Sequence, residues 1–576
     1  MICPGEAGLI EETGHRVRER VAARPHTVRR TAYTWHLTAL ALYAGIAAIF
    51  IDHGHSLTRE IAGQGSDPFA FVWFLAWWPW AISHHLNPLF THLVWQPVGV
   101  CLAWVTSVPL LALIGWPLTL ISPVLTFNVL LLSAPVLSAW AAYFLCLFIT
   151  RKPAASVIGG FLFGFSSYEM AQDTAVLNLS FTLCVPLLLL IVLVRLEGGL
   201  TRPRAVLFGG LVLICQFLLC IEIFAMIFFW GGIAWGLSMA WLPARRRALR
   251  RLAVDGLWTA PFVMLALSPF LISMALHARS VNLPALWPYY FVADPVNFFM
   301  PSHNNLLGGW LGIATHFNGG MQEQDGYIGL PLLLMIALFA RQKFDSPAGR
   351  MLLVMLLVLL VASLGPRLWV AGQVYRLVLP WRLFVDLPLL GSALPTRFAL
   401  FVSLLTAIIA VLWMTEAVTR RQRPARYALA ILACVFLAPR PHPWMPLPTS
   451  QFFQPGRVEA ALGTNARLLV LPFSINGPAS FWQQDEKFGF VQTGGYLGFP
   501  PLQMQQYKAV DELFSGSLSA HATADIAVFC EATGTQFIVM GPGTSAPVRG
   551  AIARLNWPAR SIDDVMVYTV PGGVHG

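Results

Sequence analysis

The sequence predicts an all-α polytopic membrane bundle of about eleven spans, closed by a small C-terminal α/β domain on the extracytoplasmic side. Three observations predict it. Hydrophobic residues make up 57% of the 576 and charged residues only 11%, against about 25% charged in soluble domains. Basic residues fall in short clusters between long apolar runs, and the composition changes abruptly near residue 441. Three or four soluble domains are thereby excluded, although the length alone would suggest them. With 39 Phe and 21 Trp the chain is not disordered. Its +10 charge is diluted over apolar stretches, so no basic face for nucleic acid is expected.

Some thirty polar residues precede the first apolar run, so residues 1–33 are expected to form a cytoplasmic basic tail and not a cleavable signal. Further basic clusters lie at 151–152, 195–204, 245–251, 341–350 and 420–426. The positive-inside rule assigns all of them to the cytoplasm. Crossings between successive clusters must then be even in number. The apolar segments 154–168, 176–194, 205–221, 223–242, 253–275, 327–341, 351–369 and 398–417 pair off accordingly, and 427–439 exits last. Residues 34–440 thus form the membrane domain.

Residues 101–121 are apolar but carry Pro109 and Pro117. A single crossing there would put Arg151 and Lys152 outside, so this stretch is expected to be re-entrant or interfacial within a large outer loop, 53–123. Five closely spaced prolines, Pro439, Pro441, Pro443, Pro446 and Pro448, predict a stiff linker, and 441–576 a soluble domain. Runs at 467–472, 536–540 and 565–570 read as strands, with helices at 501–515 and 546–555. Its seven Lys or Arg against nine Asp or Glu suit an extracytoplasmic place. The eight cysteines show no CxxC spacing or paired framework, which supports neither disulfides nor a thiolate metal site.

The candidate chemistry begins in the outer loop, at Gly63-Gln64-Gly65-Ser66-Asp67-Pro68, ahead of a Trp-rich run at 73–80. The aromatic belt is expected to lie in the headgroup zone and to hold the Asp67 carboxylate beside a lipid headgroup. The plain alternative is helix capping, since Ser66 or Asp67 before Pro68 is what an N-cap favours. Several phrases are more specific: Ser66-Asp67-Pro68, Asn87-Pro88-Leu89, Gln96-Pro97-Val98-Gly99, Gly164-Phe165-Ser166-Ser167-Tyr168, Leu177-Asn178-Leu179 and Pro395-Thr396-Arg397-Phe398. With this layout, from about residue 34 to 576, the chain resembles the GT-C superfamily of polyprenyl-phosphate-dependent glycosyltransferases, and within it a group of bacterial membrane proteins.

The resemblance implies a multi-pass protein of the bacterial cytoplasmic membrane. It would move a sugar, with inversion, from a polyprenyl-phosphate donor to an extracytoplasmic glycan, lipid or protein acceptor. Asp67 would be the general base. The lipid phosphate leaves as a stable anion and calls for a cation, either a side chain or a divalent metal ion. Arg397 is the first candidate, because a guanidinium grips phosphate with two donors; a snorkelling interfacial Arg is its plain alternative. His84, His85, His277, Arg279, His303 and His316 are further candidates, although the His84-His85 pair lacks the i, i+4 spacing of a helical metal site. Glu169 and Asp173, four residues apart, would share one helical face and hold a metal or orient the acceptor, or else sit in a solvated loop. Glu222 interrupts about forty apolar residues, which marks a cavity or partner, or simply an interfacial turn. Asp294, Asn297 and Asp325 are candidate acceptor contacts. Gly494-Gly495-Tyr496-Leu497-Gly498 lacks the strand and helix of a dinucleotide fingerprint and reads as a plain glycine-rich loop. The tail is expected to cover the mouth of the site or bind the acceptor. The competing class is a polytopic transporter or lipid flippase, which also needs broken helices and midplane polar groups but is expected to show repeated halves; none is seen in the sequence.

Overall fold

The structure, a computed structural model, describes residues 26–281, 287–308, 317–387, 390–416 and 419–572. Among them six helices are long and apolar enough to cross a membrane: Tyr33–Asp52, Pro123–Thr150, Leu177–Leu196, Arg202–Leu219, Ile221–Trp241 and Pro395–Thr415. Pro243–Ala266 and Ser268–Leu276 join at a 68° bend and make a seventh if they count as one broken span. Four segments expected to cross form shorter helices, Pro153–Gly164, Leu330–Lys343, Pro347–Ser363 and Gln422–Phe436, of 12, 14, 17 and 15 residues. At 1.5 Å per residue these rise only about 18–26 Å, less than a hydrocarbon core of about 30 Å. The rim is apolar and uncovered: Leu257, Trp258 and Leu265 are 74%, 61% and 76% exposed. In water such a face would be a liability, whereas against lipid tails it costs nothing.

With lipid on the outside, helices associate through close packing, and small residues permit it. The helices Pro123–Thr150 and Pro153–Gly164 pack along their length. A Cβ at Gly164 would lie 2.5 Å from Ala139 Cβ and 2.6 Å from its Cα, atoms that cannot swing aside. Gly164→Ala is therefore expected to destabilise the bundle by about 1–3 kcal/mol, read as a lower Tm in detergent.

Residues 101–121 do not form one helix. A two-residue strand pairs Val100–Cys101 with Phe90–Thr91, and two short helices, Pro109–Ile114 and Trp116–Thr119, follow. The loop is tied to the bundle by buried Asn128, whose Oδ1 accepts from the Ala62 amide at 2.9 Å and whose Nδ2 donates to the Leu57 and Glu60 carbonyls.

The tail contains a five-stranded sheet. Strand β1 (Glu60–Ala62) belongs to the first loop and β2 (Trp444–Pro446) to the proline-rich segment; the sheet itself holds β3 (Arg467–Leu471), β4 (Val491–Gln492), β5 (Phe537–Met540), β6 (Ala559–Ile562) and β7 (Val565–Thr569). Its order is β6-β7-β5-β3-β4, with β3 parallel to β4 and β5, and β7 antiparallel to β5 and β6. The three strands read from sequence are β3, β5 and β7. Of the two helices, 546–555 corresponds to Ala546–Ala553, and 501–515 holds a helix only over Lys508–Ser515. The proline-rich segment corrects the linker expectation: β2 pairs antiparallel with β1, fastening the tail to the first loop.

The Trp-rich helix also departs from expectation. Over Asp67–Ser83 it is apolar on every side, and a helix apolar all round is buried all round. Trp73, Trp77 and Trp78 are buried in protein, not laid in a headgroup zone. The helix packs on the tail helix Ala479–Asp485, on Pro109–Ile114 and on Pro123–Thr150. Trp73 Nε1 donates to Gln483 Oε1 of the tail at 2.9 Å, and Gln483 Nε2 donates in turn to the Leu93 carbonyl.

Candidate active site

The segment before Asp67 is fixed by its backbone. Gly63 N–H donates to the Pro443 carbonyl at 2.8 Å and Gln64 N–H to that of Thr174 at 2.9 Å. Gly63 has φ +101°, and a Cβ there would collide with the Thr174 carbonyl oxygen, so only glycine suits both conformation and space. Asp67 then opens its helix without capping it. Ser66 holds the N-cap position with no side-chain bond to the helix, its hydroxyl donating instead to the Ile475 carbonyl at 2.5 Å. Asp67 Oδ1 accepts the Tyr496 hydroxyl at 2.6 Å. The capping alternative is excluded: both side chains reach across to the tail.

Tyr496 comes from the glycine-rich loop, which is therefore more than a connector. Trp95 N–H donates to the Gly494 carbonyl at 3.1 Å, Gln96 N–H to that of Gln492 at 3.0 Å, and Ser480 Oγ to that of Tyr496 at 2.7 Å. Gly495 at φ +118° lets the loop press on Val94, whose Cγ1 would lie 2.5 Å from a Cβ.

Arg397 lies in the turn Pro395–Phe398 at the head of the following helix. Its guanidinium is paired with Glu222, in the first turn of Ile221–Trp241. Two residues singled out separately from sequence thus meet, and Arg397 is not a lone snorkelling cation. Arg397 Nε and Glu222 Oε1 are buried and without hydrogen-bond partners among the described residues, so the pair keeps an unspent donor. Thr396 fixes the neighbouring loop, donating to Asp325 Oδ1 at 2.6 Å and to the Glu323 carbonyl at 2.9 Å.

Electrostatics tie these groups into one site. Burial raises the Asp67 pKa above the usual carboxyl value, while the Tyr496 hydrogen bond and the Arg397 charge oppose the rise. Burial likewise raises Glu323, opposed by Arg397 and by backbone hydrogen bonds and reinforced by Asp67. Asp325, fully enclosed, is pushed well above its ordinary value by burial. Glu323 was not anticipated; its signal is the carboxylate pair in Met321-Gln322-Glu323-Gln324-Asp325.

Glu169 and Asp173 are not in a solvated loop. Both are buried at the short helix Ser167–Gln172 and its C-cap. The Thr182 hydroxyl donates to Glu169 Oε1, and His442 Nε2 stands 3.1 Å from Asp173 Oδ2. Other candidates are not brought to Asp67. His84 and His85 are exposed at the far end of a 17-residue helix, about 25 Å away at 1.5 Å per residue, with His84 stacked on Trp80. Arg279 is exposed in the turn Ala278–Ser280. His277 stacks on Phe90 and bonds the Ser273 carbonyl. Asp294 accepts from the Val296 and Gly372 amides, and Asn297 from the Gly326 amide; both side chains pin the loop. His316 lies outside the described residues. As for a divalent ion, no group of three or more His, Cys, Asp or Glu with metal-binding arrangement occurs among the described residues.

No family model and no curated protein matches the sequence. Solved structures do match the fold. The mycobacterial arabinofuranosyltransferase AftD aligns over 94% of this chain with a TM-score of 0.57 and 14% identity. The Archaeoglobus fulgidus oligosaccharyltransferase, in its complex with Zn and sulfate, aligns over 87% with a TM-score of 0.50 and 14% identity. The chain spans 40% of the length of AftD and 68% of that of the oligosaccharyltransferase. Over 94% and 87% of its length the chain therefore shares the fold of these two solved structures.

Proposed function

We propose that this protein is a membrane glycosyltransferase that takes a sugar from a polyprenyl-phosphate donor and passes it, with inversion, to an acceptor hydroxyl on the extracytoplasmic side of a bacterial cytoplasmic membrane. The observation that carries the reading is the Asp67 carboxylate, half-buried, held at one oxygen by Tyr496 and within the field of Arg397. With Oδ1 engaged, Oδ2 is the oxygen that takes the acceptor proton. The acceptor oxygen attacks the anomeric carbon from the face opposite the phosphate. The bond from that carbon to the phosphate oxygen breaks, its electron pair stays on the lipid phosphate, and the Arg397 guanidinium offsets the charge that develops. No general acid is needed, because a phosphate is already a good leaving group. Glu222 holds Arg397 in place.

The test is release of polyprenyl phosphate from a sugar-loaded donor by the protein in nanodiscs, with the anomeric configuration of the product determined. The pH profile adds a sharper check. A base whose pKa is raised by burial gives kcat/KM an acid limb above the ordinary carboxyl range. The Tyr496 hydroxyl stabilises the ionised form, so Tyr496→Phe should move that limb to higher pH. A purely structural Tyr496 would lower the rate without moving it.

A further inference from the structure

Beside the Asp67 loop a hollow opens to solvent. Its volume is about 300 Å³, and it is lined by Gln64, Thr174, His303, Asn304, Arg440 and His442, with Met170, Met321, Pro441 and Pro443 on its apolar sides. Arg440 and Pro441 are exposed at its mouth, while Asn304, Thr174 and His442 are buried at its floor. The hollow adjoins the site already described. Gln64 is three residues before Asp67, and its side-chain amide meets the sulfur of Met321 at 3.2 Å. Met321 begins the same turn that ends in Glu323.

Its polar groups are under-used. Asn304 Nδ2 donates to the Met321 carbonyl at 2.8 Å, but its Oδ1 is buried with no partner among the described residues, at a side chain only 4% exposed. His442, also 4% exposed, is backed by the buried carboxylate of Asp173. An unmet buried acceptor costs about 1–3 kcal/mol, and such groups persist where a ligand meets them. The chemistry of that ligand follows from the lining. Amide, imidazole, hydroxyl and guanidinium groups offer donors and acceptors at once, so the ligand must carry both. Asp173 behind the floor disfavours an anion, and Arg440 at the mouth disfavours a cation. The Met and Pro walls suit the C–H faces of a ring.

We infer that this hollow is an acceptor subsite that binds one uncharged sugar ring of a glycan, with Asn304 and the Asp173-backed His442 hydrogen-bonding its hydroxyls. This names the acceptor class for the activity proposed above and rests on that reading. The acceptor is then a saccharide and not a bare lipid alcohol, and it reaches Asp67 from the aqueous side.

The test is saturation-transfer NMR on the full protein in nanodiscs with the methyl glycosides of glucose, galactose, mannose and arabinose. At least one should bind to the wild type and equally to Asp67→Asn, and Asn304→Ala and His442→Gln should each weaken it tenfold or more. Arg440→Trp, at an exposed position that leaves the floor intact, should weaken it several-fold by narrowing the mouth, which covers the case in which a floor variant fails to fold. Absence of binding by all four glycosides, or binding undiminished in these variants, would overturn the subsite. The two readings fail separately: full transfer by Asp67→Asn would remove the proposed base while leaving sugar binding untouched.

Discussion

Exchanging Asp67 for Asn is expected to slow sugar transfer by about 10²–10⁴-fold, the range for loss of a positioned general base, without lowering stability. Asn retains an Oδ1 that can accept the Tyr496 hydroxyl, so the link between the first loop and the tail survives. What it loses is the proton acceptor. The stability half of the expectation follows from the sign of the pKa shift. Burial raises the Asp67 pKa in the folded protein, so the folded state binds the proton more tightly than the unfolded chain does. Any stability from this group is present at low pH and is lost as pH rises through the raised value. Wherever the pH leaves this carboxylate ionised, its burial weighs against the fold, and Asn removes that weight. The measurements are turnover of a radiolabelled polyprenyl-phosphate sugar and the Tm at pH 7, on one preparation. A transfer rate equal to the wild type would sink the mechanism. A collapsed Tm would make Asp67 a structural residue.

The parts of this site that share a short sequence window were legible, and the contacts that close it were not. Asp67 stands out because a carboxylate precedes an apolar Trp-rich run, and Glu222 because it interrupts a long hydrophobic stretch. Arg397 stands out because it opens a span. Their mutual arrangement depends on contacts across very long separations: Glu222 meets Arg397 175 residues away, and Asp67 meets Tyr496 429 residues away. No local pattern encodes such pairs. The Trp-rich helix shows the ambiguity most clearly. A run of aromatic residues suits a headgroup layer and a protein interior equally well, and what decides is a partner surface, here the tail with Gln483 as its anchor. For Glu169 and Asp173 the sequence left a solvated loop open beside a buried role for the same reason, since the His442 that meets Asp173 arrives from the proline-rich segment nearly 270 residues on. The strands of the tail were visible because their period is local. The pairing of β1 with β2 was not, because each is three residues long and they lie almost four hundred residues apart.

The second large effect is expected at Arg397, and it separates charge from geometry. Arg397→Ala should reduce transfer by about 10²–10³-fold, the cost of losing one preorganised stabiliser of developing charge. It also leaves Glu222 without its partner. Breaking a buried pair from one side costs about 3–5 kcal/mol, and the lower figure is the better guide because the Glu222 side chain keeps 27% exposure. A low rate in that variant alone would thus be ambiguous between lost chemistry and a damaged fold. The double variant Arg397→Ala with Glu222→Ala resolves it, since removing both charges should return most of the Tm while the rate stays low. Arg397→Lys carries the finer distinction. It keeps the positive charge for Glu222 but gives up the planar fork, and an ammonium cannot hold a carboxylate and a phosphate with fixed geometry at once. Lys should therefore hold stability near the wild type, raise KM for the lipid donor, and lower kcat less than Ala does. Equal kcat and KM in the Lys variant and the wild type would make Arg397 a plain counter-charge for Glu222, and the stabiliser of the departing phosphate would have to be sought elsewhere in the site.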